Sequence, residues 1–388
     1  MPPAPRIPLP VFSAGFRVFF LAASAFAAVA VPLWMAVRLD GVALTGPFAP
    51  RDWHIHEMLF GYGSAVLAGF LFTAIPNWTG SLPKSGRPLM ALAGLWLAGR
   101  LAVGWGLGLP PIAIMALDCA FLLALTTLAG IEIFAGRTWG NVKLLVPVTG
   151  FLVANVTFHA GNIRGMGSEI GTRLGFAMLA VMILLIGGRI IPSFTRNWLA
   201  KLPPGPMPVP FNRFDGTSLV MAAGALVLWV GLPDGALTGT ALLVAAGVQA
   251  VRLARWQGVR TGRNRLLLML HLAFAALILG LFATGLAAFG PALHATGAHL
   301  LGIGGIGGMT VAVMMRASLG HTGRALQAGV PLTAPFALIL LAAIARTALP
   351  GEVALWLAAI LWTLGFVLFL SRIGPALWQA NPAKRRPN

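Results

Sequence analysis

His54 to Gly80 read HIHEMLFGYGSAVLAGFLFTAIPNWTG. Two histidines and one carboxylate, His54, His56 and Glu57, stand at the head of an apolar run long enough to cross a bilayer, which takes about 20 residues. Segments of the same kind recur on both sides of it. Spans are expected over 14–38, 54–76, 88–108, 111–135, 143–163, 169–192, 216–232, 236–256, 265–288, 292–316, 332–348 and 352–371. Pro110-Pro111, Pro203-Pro204-Gly205-Pro206, Gly290-Pro291 and Pro350-Gly351 mark joints between them. The fold class is therefore all-α, a polytopic membrane protein of twelve transmembrane helices. A single integral membrane domain over residues 1–388 is expected, with little chain left for anything outside the bilayer.

Composition agrees. The 388 residues are 58% hydrophobic and 9% charged, against about 25% charged in soluble domains. Too little charge is present to keep this much apolar side chain in water, and a disordered chain is excluded for the same reason. The net charge of +18 would suggest a nucleic-acid partner, but no RRM, zinc-finger or helix-turn-helix pattern accompanies it. Position explains it better. Lys84, Arg87, Arg137, Lys143, Arg196, Lys201, Arg213, Arg252, Arg255, Arg260, Arg263, Arg265, Arg324, Lys384, Arg385 and Arg386 all fall on one side if the N-terminus is inside. The positive-inside rule then puts both termini in the cytoplasm. The proline-rich head, Met1 to Pro10, carries no cleavage site, so the first span is expected to be retained. Cys119 is the single cysteine, so no CxxCH site exists and any haem is held non-covalently.

Five of the seven histidines gather on the outer side of this topology: His54 and His56 at the head of the second span, His159 near the end of the fifth, and His294 and His299 opening the tenth. Ionisable groups within a bilayer are costly and usually functional, and neutral imidazole is the commonest ligand for copper, zinc and haem iron. Each histidine alone reads as an interfacial hydrogen-bonding side chain; five from three helices point to metal. His271, toward the cytoplasmic end of the ninth span, and His321, in a cytoplasmic loop, read as structural or surface residues. At about 100° per residue, His54 and His56 diverge by about 200° and His294 and His299 by about 140°. Neither pair can chelate one metal from one helix face. Ligands must be assembled between helices, or each pair serves two centres. A haem ligated from the second and tenth helices with a second metal beside it fits better than a lone copper or zinc.

Other polar groups lie at the same level. Glu57 can relay a proton, orient or ligate a metal, or simply pair with an arginine. Arg51, Arg164 and Arg173 are outer cations suited to haem propionates or to lipid phosphates. Tyr62, the only tyrosine, is a proton donor or a core hydroxyl. Gly302, Gly304, Gly305, Gly307 and Gly308 read as close helix packing or as a flat face for a porphyrin. Trp53, Trp78, Trp139 and Trp198 read as interfacial belt residues. The helix middles show few ionisable groups apart from Asp118, which argues against a transporter's polar path. No GxxxxGK, GxSxG or HExxH is present, so nucleotide-driven transport, serine hydrolysis and zincin chemistry lack support. Finally, His56 to Thr79 and His299 to Thr322 span equal distances (79 − 56 = 23; 322 − 299 = 23), and Ile191 to Thr195 matches Ile75 to Thr79. Spans two, six and ten therefore suggest three four-helix units in a pseudo-threefold arrangement.

These residues resemble the NnrS family. The likeness is carried by His54-Ile55-His56-Glu57-Met58, Pro76-Asn77-Trp78-Thr79-Gly80, Phe158-His159-Ala160-Gly161, Gly188-Arg189-Ile190-Ile191-Pro192-Ser193-Phe194-Thr195-Arg196-Asn197 and the tenth segment from His294 to Gly323. The resemblance implies a bacterial inner-membrane protein containing b-type haem and copper, produced with denitrification genes and protective against nitric oxide. The family's histidine-bearing motifs fall on His54, His56, His159, His294 and His299, without fixing which holds which metal. The chain is also similar to the haem-copper oxidase and nitric oxide reductase core subunit, but that fold's metal ligands on helices six and seven have no counterpart here. The expectation is a nitric oxide reductase-like oxidoreductase fed by cytochrome c or quinol. The rival is a non-enzymatic haem, copper or nitric oxide binder that protects other metal centres, and a transporter comes third.

Overall fold

The structure, a computed structural model, describes residues 9–290 and 293–380. The basic tail Lys384, Arg385 and Arg386, Pro291 and most of the proline-rich head lie outside the described residues. Among the described residues every regular element is helical, and twelve helices are long and apolar enough to cross a membrane. They are α1 (Gly15–Arg38), α2 (Pro50–Thr79), α3 (Arg87–Trp105), α4 (Pro111–Ala135), α5 (Trp139–Ile163), α6 (Glu169–Leu199), α7 (Arg213–Gly231), α8 (Ala236–Ala254), α9 (Arg265–Ala287), α10 (His294–His321), α11 (Val330–Ala348) and α12 (Gly351–Trp378).

Three boundaries differ from expectation for identifiable reasons. α2 starts at Pro50, where a proline costs nothing in the first turn and Asp52 complements the N-terminal dipole. α6 runs through Pro192 to Leu199, because Thr195 Oγ1 donates to Ile191 O (2.9 Å) and keeps the polar end helical. α12 continues through Pro375 because buried Arg17 Nη1 donates to the carbonyls of Ala376 (3.1 Å) and Leu377 (3.0 Å) at its C-terminal end. His321 also departs from expectation. It is the last residue of α10 rather than part of a loop, and its ring lies 5.4 Å from that of Phe16. Trp53 is buried rather than interfacial, whereas Trp139 is exposed.

The chain divides into two compact units. One runs through Gly175 and includes Met314–Ala325 and the chain from Phe366; the other holds Phe176–Val313 and Leu326–Gly365. In the second unit, Asp215 of α7 faces fully buried Arg252 of α8, with Arg252 Nε 3.0 Å from Asp215 Oδ1 and Nη1 3.0 Å from Leu184 O. α9 packs against the first half of α10 at backbone distance. A Cβ on Gly280 would stand 2.7 Å from Leu301 Cα, and one on Gly305 2.8 Å from Leu277 Cα. Gly304, Gly307 and Gly308 likewise face neighbouring side chains (Ala276 and Ala343, Trp362, and Leu340). The glycine run therefore serves helix packing rather than presenting an open flat face.

Two spans widen locally. α2 is π-helical over Glu57–Tyr62, directly after His56, and α10 over Leu300–Gly307, directly after His299. The equal 23-residue spacing thus has a local structural counterpart in these two spans, while α6 is α-helical throughout. π turns inside α-helices are rare and concentrate at functional sites.

Gly305→Ala is expected to destabilise the protein by about 1–3 kcal/mol, since the added methyl meets backbone that cannot yield. Gly224→Ala on α7, with nothing within 4 Å of the new methyl, should be neutral or stabilising by about 0.5–1 kcal/mol. Thermal unfolding in detergent compares the two.

Candidate functional site

Arg100 on α3 and Asp118 on α4 stand equally far along the chain from Leu109 in the turn between them (109 − 100 = 9; 118 − 109 = 9). The antiparallel hairpin therefore brings a guanidinium and a carboxylate to one level inside the apolar bundle. Arg100 Nη2 donates to Asp118 Oδ1, and Nη1 donates to Glu57 Oε1 at 3.1 Å. Around this pair the first unit assembles five more contacts. His56 Nδ1 lies 2.9 Å from Glu57 Oε1, and its Nε2 lies 3.1 Å from Asp118 Oδ2 and 2.9 Å from Asn155 Oδ1. Asn155 Nδ2 donates to Asp118 Oδ2 at 2.7 Å, and His159 Nε2 lies 3.1 Å from the same oxygen. All six side chains are buried.

Local structure explains the convergence. Asn155 and His159, four residues apart on α5, share one helix face. The π turn of α2 turns Gly61 toward α3, where its carbonyl accepts from Trp96 Nε1 at 2.9 Å. A Cβ on Gly61 would sit 2.5 Å from Arg100 Nη1 and 2.9 Å from Glu57 Oε2, so only glycine lets the arginine through. Asp118 lies seven residues after Pro111 and His159 four before Ile163. At about 1.5 Å per residue the cluster is about 6–10 Å inside the helix ends. Phenyl rings enclose it: Phe48, Phe60 and Phe158 stand 5.0, 5.3 and 5.2 Å from the His56 ring, and Phe48 also stands 4.9 Å from that of His159.

Formal charge points to a cation. With both imidazoles neutral, one guanidinium faces two carboxylates, leaving one negative charge to be balanced in a buried site. A proton on His56 or a bound cation balances it. Among the described residues, His56, Asp118 and His159 form the group whose ligand atoms all lie within 4.8 Å of one another. Asp118 Oδ2 lies 3.1 Å from both His56 Nε2 and His159 Nε2, so the three atoms face one another closely enough to meet a single ion. Two imidazoles and a carboxylate suit copper, zinc or iron, and Glu57 on His56 Nδ1 is the outer carboxylate that orients a ligating histidine. Buried His159 Nδ1 has no hydrogen-bond partner. The donor set therefore fits a copper ion.

The remaining expected residues separate from this group. His54 stacks on Trp34 (4.5 Å) and adds no donor to it. Tyr62 is buried with its ring 5.5 Å from Phe366. Arg51 and Arg164 are exposed and Arg173 is half-buried. In the second unit, His294 Nε2 pairs with Asp234 Oδ1 at 3.0 Å on the surface, and His271 Nε2 lies 2.9 Å from Thr195 Oγ1. His299 Nδ1 donates to Ala295 O at 2.7 Å. That bond fixes the tautomer with a lone pair on Nε2, which is what a haem-ligating histidine needs. Sequence reasoning missed Arg100 and Asn155 and left Asp118 without a role. The matching distances of Arg100 and Asp118 from one short turn were the available signal.

Asp118→Leu is expected to cost about 3–5 kcal/mol, because it strands a buried guanidinium. Arg100→Leu should cost a similar amount, and the double variant less than the sum, since each single change leaves the other charge uncompensated. Unfolding midpoints of the three variants test this coupling.

A family model described as NnrS protein matches residues 10–381, nearly the whole chain. Comparison with curated proteins finds no match. The HxHEM head of α2, the His159 motif and the α10 segment all lie inside the matched stretch, and the chain belongs to the NnrS family.

Proposed function

We propose that this membrane protein binds nitric oxide at the buried cluster of α2, α4 and α5 and reduces it, relieving nitrosative stress. Membership of the family fits a membrane protein of the nitric oxide response. The observation that carries the reading is the convergence of His56, His159 and Asp118 on one point within an otherwise apolar bundle. His56, His159 and Asp118 would hold copper there, and His299 Nε2 would ligate a b-type haem. When bound, these groups supply the redox-active metals that nitric oxide coordinates.

The chain's own residues do the rest. Arg100 holds both carboxylates in place, so that Asp118 Oδ2 keeps facing the imidazoles. Glu57 Oε1 contacts both His56 Nδ1 and Arg100 and is the group that holds and passes a proton at the site; Tyr62 serves the core. Nitric oxide dissolves in lipid and reaches such a site without a polar channel. Joining two nitric oxide molecules takes two electrons and two protons and yields nitrous oxide and water. The electrons come from cytochrome c or a quinol.

Purified protein should carry haem and copper and show a haem spectrum that shifts with nitric oxide. His56→Ala and His159→Ala should lose copper while retaining haem; His299→Ala should lose haem. Retention of both groups in all three variants rules out the ligand assignment. With an electron donor, continued nitrous oxide production supports reduction, whereas uptake that stops after one equivalent favours the protective binder.

The protein sits in the bacterial inner membrane with both termini cytoplasmic and the cluster in the outer half. Lys84, paired with Glu132 at 2.9 Å, marks the opposite, cytoplasmic end of the first unit. In a Cys119→Ala background, Met166→Cys should react with an impermeant maleimide on intact spheroplasts. Leu82→Cys and Val259→Cys, also at exposed positions, should react only after permeabilisation. The reverse pattern inverts the orientation.

A further inference from the structure

The three phenyl rings around the imidazoles do not have equal standing. Phe60 and Phe158 are carried on helices, but Phe48 belongs to the irregular strap 39–49 that joins α1 to α2. Its ring covers both histidines, with centroids 5.0 Å from His56 and 4.9 Å from His159, and meets Phe158 edge-on at 5.1 Å. Ala49 and Pro50 beside it are exposed, yet Phe48 itself is only 6% exposed. The ring thus lies between exposed backbone and the two imidazoles.

The strap is pinned just upstream of that ring. Gly46 N donates to Gly104 O at 3.2 Å, and Thr45 Oγ1 donates to Trp105 O at 2.9 Å, both at the end of α3. A Cβ on Gly46 would stand 1.9 Å from Val103 O, so the strap can lie this close only with glycine there. Phe48 is therefore positioned by backbone anchors on α3, independently of the polar cluster it covers.

We propose that Phe48 is the specificity-determining residue of the site, a plug that admits small, uncharged, weakly hydrated ligands and refuses anions and larger polar molecules. This rests on the reading of His56, His159 and Asp118 as a metal site. An anion would have to shed its water to pass between phenyl rings, at a cost no group on that route repays. A neutral diatomic molecule has little hydration to lose. Phe60 and Phe158 form fixed walls, so selectivity falls to the one ring that the strap holds.

Two measurements test the plug, one of them without metal. In the metal-free protein, acylation of histidines by diethyl pyrocarbonate is followed residue by residue by mass spectrometry. His294, 48% exposed, serves as the fast internal reference. The wild-type His159 should react slowly, Phe48→Ala should raise its rate about tenfold, and Gly46→Ala should do the same with the ring still present, since both release a local barrier to access. Phe48→Leu keeps an apolar plug and should stay near wild type, which separates access from general damage to the fold. In the cobalt(II)-loaded protein, visible bands should shift with nitric oxide but not with azide in the wild type, and with both in Phe48→Ala. An unchanged His159 rate in both Phe48→Ala and Gly46→Ala, or equal azide affinity in wild type and Phe48→Ala, overturns the proposal. Failure of the wild type to load cobalt at all overturns the metal reading instead, while the acylation rates still decide whether Phe48 is a plug.

Discussion

A guanidinium and a carboxylate inside an apolar bundle must find each other, since neither can be left alone there without a cost of several kcal/mol. Arg100 and Asp118 meet that constraint, and the arrangement of the first unit follows from it. The pair sets the level of α3 against α4. With Oδ1 taken by the arginine, Oδ2 of Asp118 is left facing α2 and α5, where His56, Asn155 and His159 all reach it. The second nitrogen of Arg100 takes Glu57, and the π turn with Gly61 at its inner side is what makes room for that contact. The second unit solves the same problem with Arg252 and Asp215, again on adjacent helices of one hairpin. There the arginine's other hydrogen bonds go to a backbone carbonyl and the Gln249 amide oxygen rather than to a second carboxylate, so that pair reads as structural.

The same contrast separates histidines that look alike in the sequence. His54 and His56 are two residues apart, and the helix turns one onto Trp34 and the other into the charged cluster. His294 pairs with Asp234 on the surface, while His299, one turn further, offers an open Nε2. In two of the candidate ligands a neighbour fixes the second nitrogen: Glu57 for His56, the Ala295 carbonyl for His299.

Much of the architecture was legible in the chain. Twelve spans follow from apolar length alone, and two of the ends that differed lie where a side chain satisfies a helix beyond a proline, as Thr195 and Arg17 do. The glycine run after His299 carried two readings, and the backbone distances between α9 and α10 decide for packing. Arg100 was hidden for a different reason. A single arginine within an apolar helix reads as one charge to be tolerated, and only its distance from a turn shared with Asp118 marks it as half of a pair.

By itself, then, the sequence determined the class of protein, the number of spans and the histidines worth considering, because each of these depends on local composition and periodicity. The tertiary structure decided which of those histidines come together, that Asp118 and not His54 lies with His56 and His159, and that Phe48 from the strap before α2 covers them. Those are questions of which helix faces meet. Such meetings are set by long-range pairing of buried charge and by close approach at glycine, neither of which any one stretch of chain records.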